Sequence, residues 1–236
     1  MSFSASPGDA DIETAFPDPR HAGREGLVAV GGDLSPQRLL TAYGHGIFPW
    51  FDDDRGPVLW WSPDPRAVLT PAGMKISRSL GKRLRRGDYT VTMDTDFRAV
   101  VEGCAAPRKG GGTWITPAMQ SAYLQLSELG FAHSVEAWRE GALVGGLYGV
   151  SLGRMFFGES MFSRCPDASK VALAWLSRQL KAWEFELIDC QIINDHLESL
   201  GARPMRRGEF LDRLGRNRRI STRRHRWRFD IAMNEA

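Results

Sequence analysis

Three consecutive strand patterns joined by short glycine turns constrain the fold of this chain more than any other feature. The strand patterns cover residues 132–138, 143–150 and 154–162, and the turns between them are 139–141 and 151–153. Short connections that contain glycine join neighbouring antiparallel strands as hairpins. The sequence therefore predicts a sheet with three sequential antiparallel strands.

Helical patterns lie on both sides of this predicted sheet. Ser35-Pro36 and Thr116-Pro117 each combine a capping hydroxyl with proline at the first helical position, which is typical of a helix start. Further helices are predicted at 76–86, 97–105, about 167–183 and 209–214. The segment before residue 64 is dense in tryptophan and proline, so we expect it to form a small separate unit.

The order strand, helix, helix, three antiparallel strands, helix, strand, helix resembles the GNAT acyltransferase fold. The predicted class is α+β, with a small N-terminal α+β domain (1–63) and a GNAT-like acyltransferase domain (64–236). The second domain would have a mixed, mainly antiparallel sheet and a basic C-terminal tail. Acetyl-CoA enzymes of that fold hold pyrophosphate on a glycine-rich turn. The corresponding turn here, 163–170, has no glycine, so the acyl donor is predicted not to be a coenzyme A thioester.

Residues 187–191 form a further predicted strand with an unusual polar face. Alternation places Asp189 and Gln191 on one face and Ile188 and Cys190 on the other. Burying such polar groups without partners costs about 2–7 kcal/mol each. Asn194 follows as the predicted N-cap of a short helix. Two interpretations stay open here: a structural polar pair, or polar groups that line a ligand site.

Composition excludes several classes of protein. The three cysteines form no CxxC and no metal-ligand spacing, so we expect free thiols and no metal site. No apolar run approaches about 18 residues, so no membrane span is expected. We expect a soluble, cytoplasmic monomer. Between Arg203 and Arg228 lie eleven arginines and two acids, which indicates either a polyanion-binding segment or a solvated tail.

Seven motifs together are similar to the leucyl/phenylalanyl-tRNA–protein transferase family. The resemblance covers about residues 16–214. The motifs are GGDLS at 31–35, GIFPWF at 46–51, WWSPDPR at 60–66, GTWIT at 112–116, GESMFS at 158–163, DCQ at 189–191 and NDH at 194–196.

This resemblance implies an aminoacyltransferase. It would move leucine or phenylalanine, and methionine less well, from aminoacyl-tRNA to the N-terminal arginine or lysine of an acceptor protein. The product would be an N-degron for proteolysis in the N-end rule pathway. No cofactor and no metal are implied, because the tRNA ester is already activated. The rival hypotheses are a GNAT-like N-acetyltransferase that uses acetyl-CoA and a non-catalytic tRNA- or protein-binding module.

The resemblance also implies the catalytic residues Asp189, Gln191 and Asn194. Gln191 would accept a hydrogen bond from the attacking amine, either as a base or by positioning it. Asp189 would orient Gln191 or the amine and stabilise the positive nitrogen. Asn194 would donate to the oxyanion, a contact that typically contributes about 2.7–4 kcal/mol.

The resemblance also implies which residues contact the aminoacyl-tRNA and which contact the acceptor peptide. Trp50 and Trp114 would contact the 3′ adenosine, although core packing is the alternative. The amino-acid side chain would enter an apolar pocket, with ordinary core as the alternative. On a regular strand Phe156 and Met161 face opposite ways, so this pocket requires a bend near Gly158. The predicted pocket residues are Leu147, Phe156, Met161 and Leu173.

Glu159 and Ser163 would contact the acceptor peptide, and the alternative for Glu159 is an ion pair with Arg164. The phosphates of tRNA would be bound by a basic helix, with the arginine-rich tail as second candidate. The predicted phosphate contacts on that helix are Arg78, Lys82, Arg83, Arg85 and Arg86.

Overall fold

The structure is a computed structural model that describes residues 16–107 and 113–231. The glycine loop before Trp114, including Gly112 of the GTWIT motif, lies outside these residues. The described strands are β1 (Leu27–Val30), β2 (Phe48–Pro49), β3 (Leu59–Trp61), β4 (Arg66–Leu69), β5 (Thr90–Met93), β6 (Ala132–Arg139), β7 (Ala142–Leu152), β8 (Met155–Ser163), β9 (Leu187–Gln191) and β10 (Arg203–Met205). The α-helices are α1 (Pro36–Gly44), α2 (Arg78–Arg86), α3 (Phe97–Ala105), α4 (Pro117–Glu128), α5 (Ala168–Ala182), α6 (Asp195–Ser199) and α7 (Arg207–Asn217).

The larger sheet has the strand order β10-β4-β9-β8-β7-β6-β5. Strands β6, β7 and β8 form the predicted antiparallel meander, and β9 pairs with β8 in parallel after the α5 crossover. The predicted α+β class and GNAT-like order of elements are confirmed. Strand β4 was not predicted, yet it lies between β9 and β10.

Local sequence signals explain where several helices begin. The hydroxyl groups of Ser35 and Thr116 accept hydrogen bonds from the backbone at the starts of α1 and α4, and proline follows each cap. The side-chain oxygen of Asn194 accepts a backbone N–H at the start of α6, so Asn194 is the N-cap of this helix, as predicted. These caps satisfy backbone N–H groups that the first turn of a helix leaves unpaired.

The N-terminal elements share a hydrophobic core with the larger sheet. The three-stranded sheet β1-β3-β2 contributes Phe48 and Trp60, and these residues cluster with Phe157 of β8 and Phe210 of α7. The predicted domain boundary at 63/64 falls between β3 and β4 and stays a prediction.

The segment after α7 lies against the protein. Trp227 is fully buried and stacks on His133 with ring centroids 3.7 Å apart. The carboxylate of Asp94 accepts hydrogen bonds from His133 Nδ1 and from the backbone N–H of Trp227. Three arginines of this segment donate to backbone carbonyls: Arg218, Arg224 and Arg226. A freely solvated tail is therefore the wrong interpretation for residues 218–231.

The three cysteines are free thiols, as predicted. Within residues 16–107 and 113–231, no helix combines the length and apolar character that a bilayer crossing requires.

Candidate active site

The pairing of β8 with β9 ends part-way along the larger sheet, and we call the place where it ends the notch. They pair in parallel over Met155–Phe157 and Leu187–Asp189, but β8 continues to Ser163 along β7 alone. Backbone groups of β8 beyond Phe157 therefore have no ladder partner on the β9 side. The polar side chains of Glu159 and Gln191 lie at this notch.

Glu159 is the extra residue of a β-bulge. Gly158 pairs with Gly149 and Ser160 pairs with Tyr148, so Glu159 has no opposite residue on β7. The residue is 8% exposed, and its carboxyl group accepts hydrogen bonds from the hydroxyl groups of Tyr43 (2.8 Å) and Tyr123 (2.7 Å). The alternative of an ion pair with Arg164 is excluded, because Arg164 instead donates to the carbonyl of Leu143.

The hydrogen-bond geometry around Glu159 can accommodate its neutral form, and burial favours that form. The hydroxyl oxygens of Tyr43 and Tyr123 also lie 2.5 Å apart, so three oxygen contacts close a triangle. Two hydroxyl protons fill two of these contacts, and the third is filled when the carboxyl group carries a proton. Burial raises the pKa of Glu159 to about 7, and the tyrosine hydrogen bonds oppose that effect in part. Near pH 7 both protonation states are therefore populated.

Gln191 projects into the notch from the end of β9. Its Nε2 donates to Glu159 Oε1 over 2.8 Å, so its amide oxygen is turned away from the carboxyl group. The backbone of Gln191 has a φ of 63°, a left-handed conformation that non-glycine residues rarely adopt. The Gln191 side chain thus presents a hydrogen-bond acceptor on a strained and well-defined backbone.

Asp189 lies behind Gln191 and is enclosed. The guanidinium of Arg66 binds it with two hydrogen bonds, Nε to Oδ1 at 2.8 Å and Nη2 to Oδ2 at 2.7 Å. Both side chains are completely buried. Asp189 Oδ1 also accepts the backbone N–H of Gln191 at 3.0 Å. Its oxygens face Arg66 and the Gln191 backbone, a geometry that fits the predicted role of orienting Gln191; the alternative role toward the amine stays a prediction.

Asn194 lies beyond the end of β9 and is exposed. Its Oδ1 accepts the backbone N–H of Leu197 at 2.9 Å and caps α6. This cap fixes the amide oxygen and leaves the Nδ2 group as the donor. A donor is the chemistry that the predicted oxyanion contact requires.

The predicted pocket residues lie on one side of the larger sheet, three on its strands and Leu173 on α5. Leu147, Phe156 and Leu173 are almost fully buried in a single cluster, and Met161 packs against it. The bulge at Glu159 shifts the strand alternation by one residue, so Phe156 and Met161 point to the same side. This bulge is the bend that the sequence required near Gly158.

A cavity of about 490 Å³ opens beside Met161. Ser163, Phe162 and the end of α3 also line it, while Leu147, Phe156 and Leu173 do not. Ser163 Oγ additionally accepts the backbone N–H of Ser169 at 2.9 Å, next to the start of α5. Leu147, Phe156 and Leu173 therefore pack against Met161 on its buried side, whereas Met161 and Ser163 line the cavity.

The two predicted adenosine contacts differ in exposure. Trp50 is 40% exposed, and its ring meets that of Trp61 edge-on at 6.1 Å. Trp114 is half-buried against the core. The carboxylate of Asp54 binds the backbone N–H of Ala118 near the start of α4, which brings the loop after Trp50 close to the segment that follows Trp114.

The basic side chains of helix α2 fall into two groups, those in ion pairs and those without one in the described part of the chain. Arg83 pairs with Asp88 and Asp167, and Arg86 pairs with Asp88. Arg78, Lys82 and Arg85 are exposed and follow helical spacing along one face. No ion pair among the described residues includes these three. The exposed group presents the uncompensated positive charge of this helix.

Sequence reasoning missed three residues of this site. Arg66 lies in the WWSPDPR motif, and the following Ala-Val-Leu run was the signal that could have placed it on a strand. No sequence pattern singled out Tyr43 of α1 or Tyr123 of α4. Their role at Glu159 depends on contacts between segments 36 to 116 residues apart, which leave no local signal.

Comparisons with known proteins agree with the motifs. The chain matches a family model described as leucyl/phenylalanyl-tRNA protein transferase over residues 68–215, and a model of the N-terminal domain of that family over residues 32–64. The leucyl/phenylalanyl-tRNA–protein transferase of Thiobacillus denitrificans is 58% identical and covers 86% of this chain and 87% of its own length. The family member from Pseudomonas fluorescens strain SBW25 is 60% identical and covers 83% of this chain and 87% of its own length.

Among solved structures, a GCN5-related N-acetyltransferase from Kribbella flavida aligns with 70% of this chain and 59% of its own, with 11% identity and a TM-score of 0.38. The sequence matches are far stronger and extend over both halves of the chain. This chain therefore belongs to the leucyl/phenylalanyl-tRNA–protein transferase family.

Proposed function

We propose that this chain transfers leucine or phenylalanine from aminoacyl-tRNA to the N-terminal arginine or lysine of an acceptor protein. The chain is an aminoacyltransferase by family membership. The observation that carries the proposed site is Gln191 at the notch between β8 and β9: Glu159 binds its side-chain amide, and the Asp189 carboxylate binds its backbone N–H. The product would be an N-degron, and methionine would be a poorer donor.

The reaction begins with a neutral acceptor amine. An N-terminal amine has a pKa of about 7.7–8.0, so about one-tenth to one-fifth of it is neutral at pH 7. Because that fraction is not small, the site needs orientation more than a strong base. The Gln191 amide oxygen accepts a hydrogen bond from the amine and directs its lone pair at the ester carbonyl.

Attack then forms a carbon–nitrogen bond and places negative charge on the carbonyl oxygen. The Nδ2 group of Asn194 donates to this oxyanion. Collapse breaks the bond to the 3′ oxygen of the adenosine, and the proton that leaves the nitrogen ends on that oxygen. Atoms and charge balance without any further reactant, because the ester supplies the leaving group.

The donor is held at its two ends. The leucine or phenylalanine side chain enters the cavity beside Met161, above the buried cluster of Leu147, Phe156 and Leu173. A hydrophobic site discriminates by about 1–3 kcal/mol per methylene group, which fits acceptance of several apolar side chains. Trp50 and Trp114 contact the terminal adenosine, and the exposed face of α2 binds phosphates.

Glu159 recognises the cationic side chain of the acceptor, with Ser163 lining the same region. Its oxygens lie in a buried, weakly solvated environment, where an arriving guanidinium or ammonium group stabilises the ionised carboxylate. The pKa of Glu159, raised to about 7 by burial, then falls when a basic acceptor binds. Acceptor affinity is accordingly expected to rise with pH between about 6 and 8.

The test is transfer of labelled leucine from leucyl-tRNA to a peptide that begins with arginine. An otherwise identical peptide that begins with aspartate is the acceptor control, and labelled acetyl-CoA is the donor control. We expect labelling of the arginine peptide alone, and Gln191→Ala should reduce its single-turnover rate. Acetylation from acetyl-CoA without leucine transfer would support the rival N-acetyltransferase. Binding of leucyl-tRNA without any transfer would support a non-catalytic module.

A further inference from the structure

We propose that Arg66 is a positioning residue for the transfer reaction, acting on Gln191 through Asp189. This inference rests on the proposed function of Gln191. It assigns a catalytic purpose to a buried ion pair that would otherwise be only structural. The chain of contacts runs from the Arg66 guanidinium to the Asp189 carboxylate, to the Gln191 backbone, and finally to the Gln191 side chain.

The first link fixes the plane of a carboxylate. The guanidinium of Arg66 lies between the rings of Phe48 and Phe210, with its central carbon 4.7 and 4.8 Å from their centroids. This clamp and the two parallel hydrogen bonds to Asp189 leave the carboxylate little rotational freedom. A planar guanidinium provides such two-point contact, whereas a lysine ammonium provides a single charge.

The second contact, from the Asp189 carboxylate to the Gln191 backbone, stabilises the backbone conformation of Gln191. Asp189 Oδ1 accepts both Arg66 Nε and the backbone N–H of Gln191. The latter hydrogen bond supports the left-handed φ of 63° at Gln191. Strand β4, which carries Arg66, also pairs with β9, and the register of this pairing shifts between Ala67 and Val68. A fixed backbone at Gln191 also fixes the direction of its Cα–Cβ bond, from which the side-chain amide projects toward Glu159.

Charge compensation gives a second reason to assign Arg66 a positioning role. The Asp189 carboxylate is fully buried and is balanced by Arg66 at hydrogen-bond distance. Arg66 therefore balances this charge at close range, while the carboxylate still helps burial to raise the pKa of Glu159. The carboxyl group that faces Gln191 from the other side is Glu159, at 2.8 Å from its Nε2. Asp189 and Arg66 together thus act as a neutral unit that sets the direction of the Gln191 amide.

The conservative variant Arg66→Lys provides the direct test. Lysine retains the positive charge but loses the planar two-point contact, so the carboxylate of Asp189 is free to rotate. We expect the single-turnover transfer rate to fall by about 10- to 100-fold, the order of loss that a displacement of about 1 Å causes in a reacting group. The KM for leucyl-tRNA should stay within about threefold of the wild-type value, since Arg66 contacts neither proposed substrate site.

Arg207→Lys is the matched control. Arg207 is a similarly buried arginine that holds the backbone carbonyls of Ala22, Gly23 and Ser62, and none of its side-chain hydrogen bonds within the described residues reaches β9. Its substitution should lower thermal stability while leaving the transfer rate of the folded protein unchanged. A wild-type rate for Arg66→Lys would overturn the proposal, as would a rate loss equal in Arg207→Lys and Arg66→Lys.

Two double variants separate geometry from charge. R66Q/D189N and R66M/D189L both remove the buried charges, but only the first retains an oxygen that can accept the Gln191 N–H. We expect R66Q/D189N to react at least about tenfold faster than R66M/D189L at equal folded fraction. Equal rates in the two doubles would refute positioning through this hydrogen bond. Failure of the wild-type protein to transfer leucine would instead refute the proposed function, so the two failures are distinguishable.

Discussion

Replacing Glu159 with glutamine should remove a large pH dependence from the stability of this protein. Glutamine has nearly the same shape and can serve as a neutral member of the triangle with Tyr43 and Tyr123. It therefore mimics the protonated carboxyl group at every pH. The comparison of wild type with Glu159→Gln isolates the cost of ionising this one buried group.

The sign of the effect follows from the raised pKa. Burial lifts the pKa of Glu159 from its ordinary value of 4.5 to about 7 in the folded state. Well below pH 4.5 both the folded and the unfolded state hold the proton, and the group costs nothing. As the pH rises through 4.5 the unfolded state ionises first, so the free energy of unfolding falls until the pH passes 7.

The magnitude follows from the same two values. The full cost of the ionised group above pH 7 is about 3 kcal/mol, at 1.36 kcal/mol for each unit of pKa. Between pH 5 and pH 8 the wild type should lose about 2–3 kcal/mol that Glu159→Gln does not lose. Most of this loss should occur between pH 5 and 7.

Urea unfolding of both proteins at pH 5, 6, 7 and 8 measures this difference, with the wild-type minus variant value plotted against pH. Glu102→Gln, at an exposed carboxyl group on α3, is the control for the change of residue type. If the difference in unfolding free energy between wild type and Glu159→Gln varies by less than about 0.5 kcal/mol across this range, the claim that burial raises the pKa of Glu159 is refuted.

Three further predictions concern the tail, the basic helix and the adenosine contact. Trp227→Ala should lower the free energy of unfolding by about 3–5 kcal/mol in urea unfolding, because its buried ring fills the space against His133; a loss below about 1 kcal/mol would contradict tail docking. Neutralising Arg78, Lys82 and Arg85 together should reduce the salt dependence of tRNA affinity, by about 0.7–0.9 in the log–log slope for each phosphate that is no longer bound; an unchanged slope would place the phosphates elsewhere. Trp50→Ala should weaken leucyl-tRNA binding by about 1–3 kcal/mol in a filter-binding titration, and equal affinity of both proteins would exclude base stacking there.

The sequence alone determined the local elements and the family. Helix caps such as Ser35-Pro36 and Thr116-Pro117 act within one turn of the chain, so they are visible without tertiary contacts. The same holds for the glycine turns of the β6-β7-β8 meander, where a short connection dictates antiparallel pairing. The motifs that indicated the family are contiguous, and the comparisons confirmed that assignment.

Only the tertiary structure decided which polar groups of the site meet. Alternation along β9 placed Asp189 and Gln191 on one face, but it did not reveal that Arg66 encloses the first and Glu159 binds the second. The bulge that turns Phe156 and Met161 to one side requires the pairing of β8 with β7. The burial that raises the pKa of Glu159 is produced by side chains from several segments that are far apart in the sequence. Desolvation and hydrogen bonding depend on three-dimensional neighbours, and for these groups the neighbours are far apart in the chain.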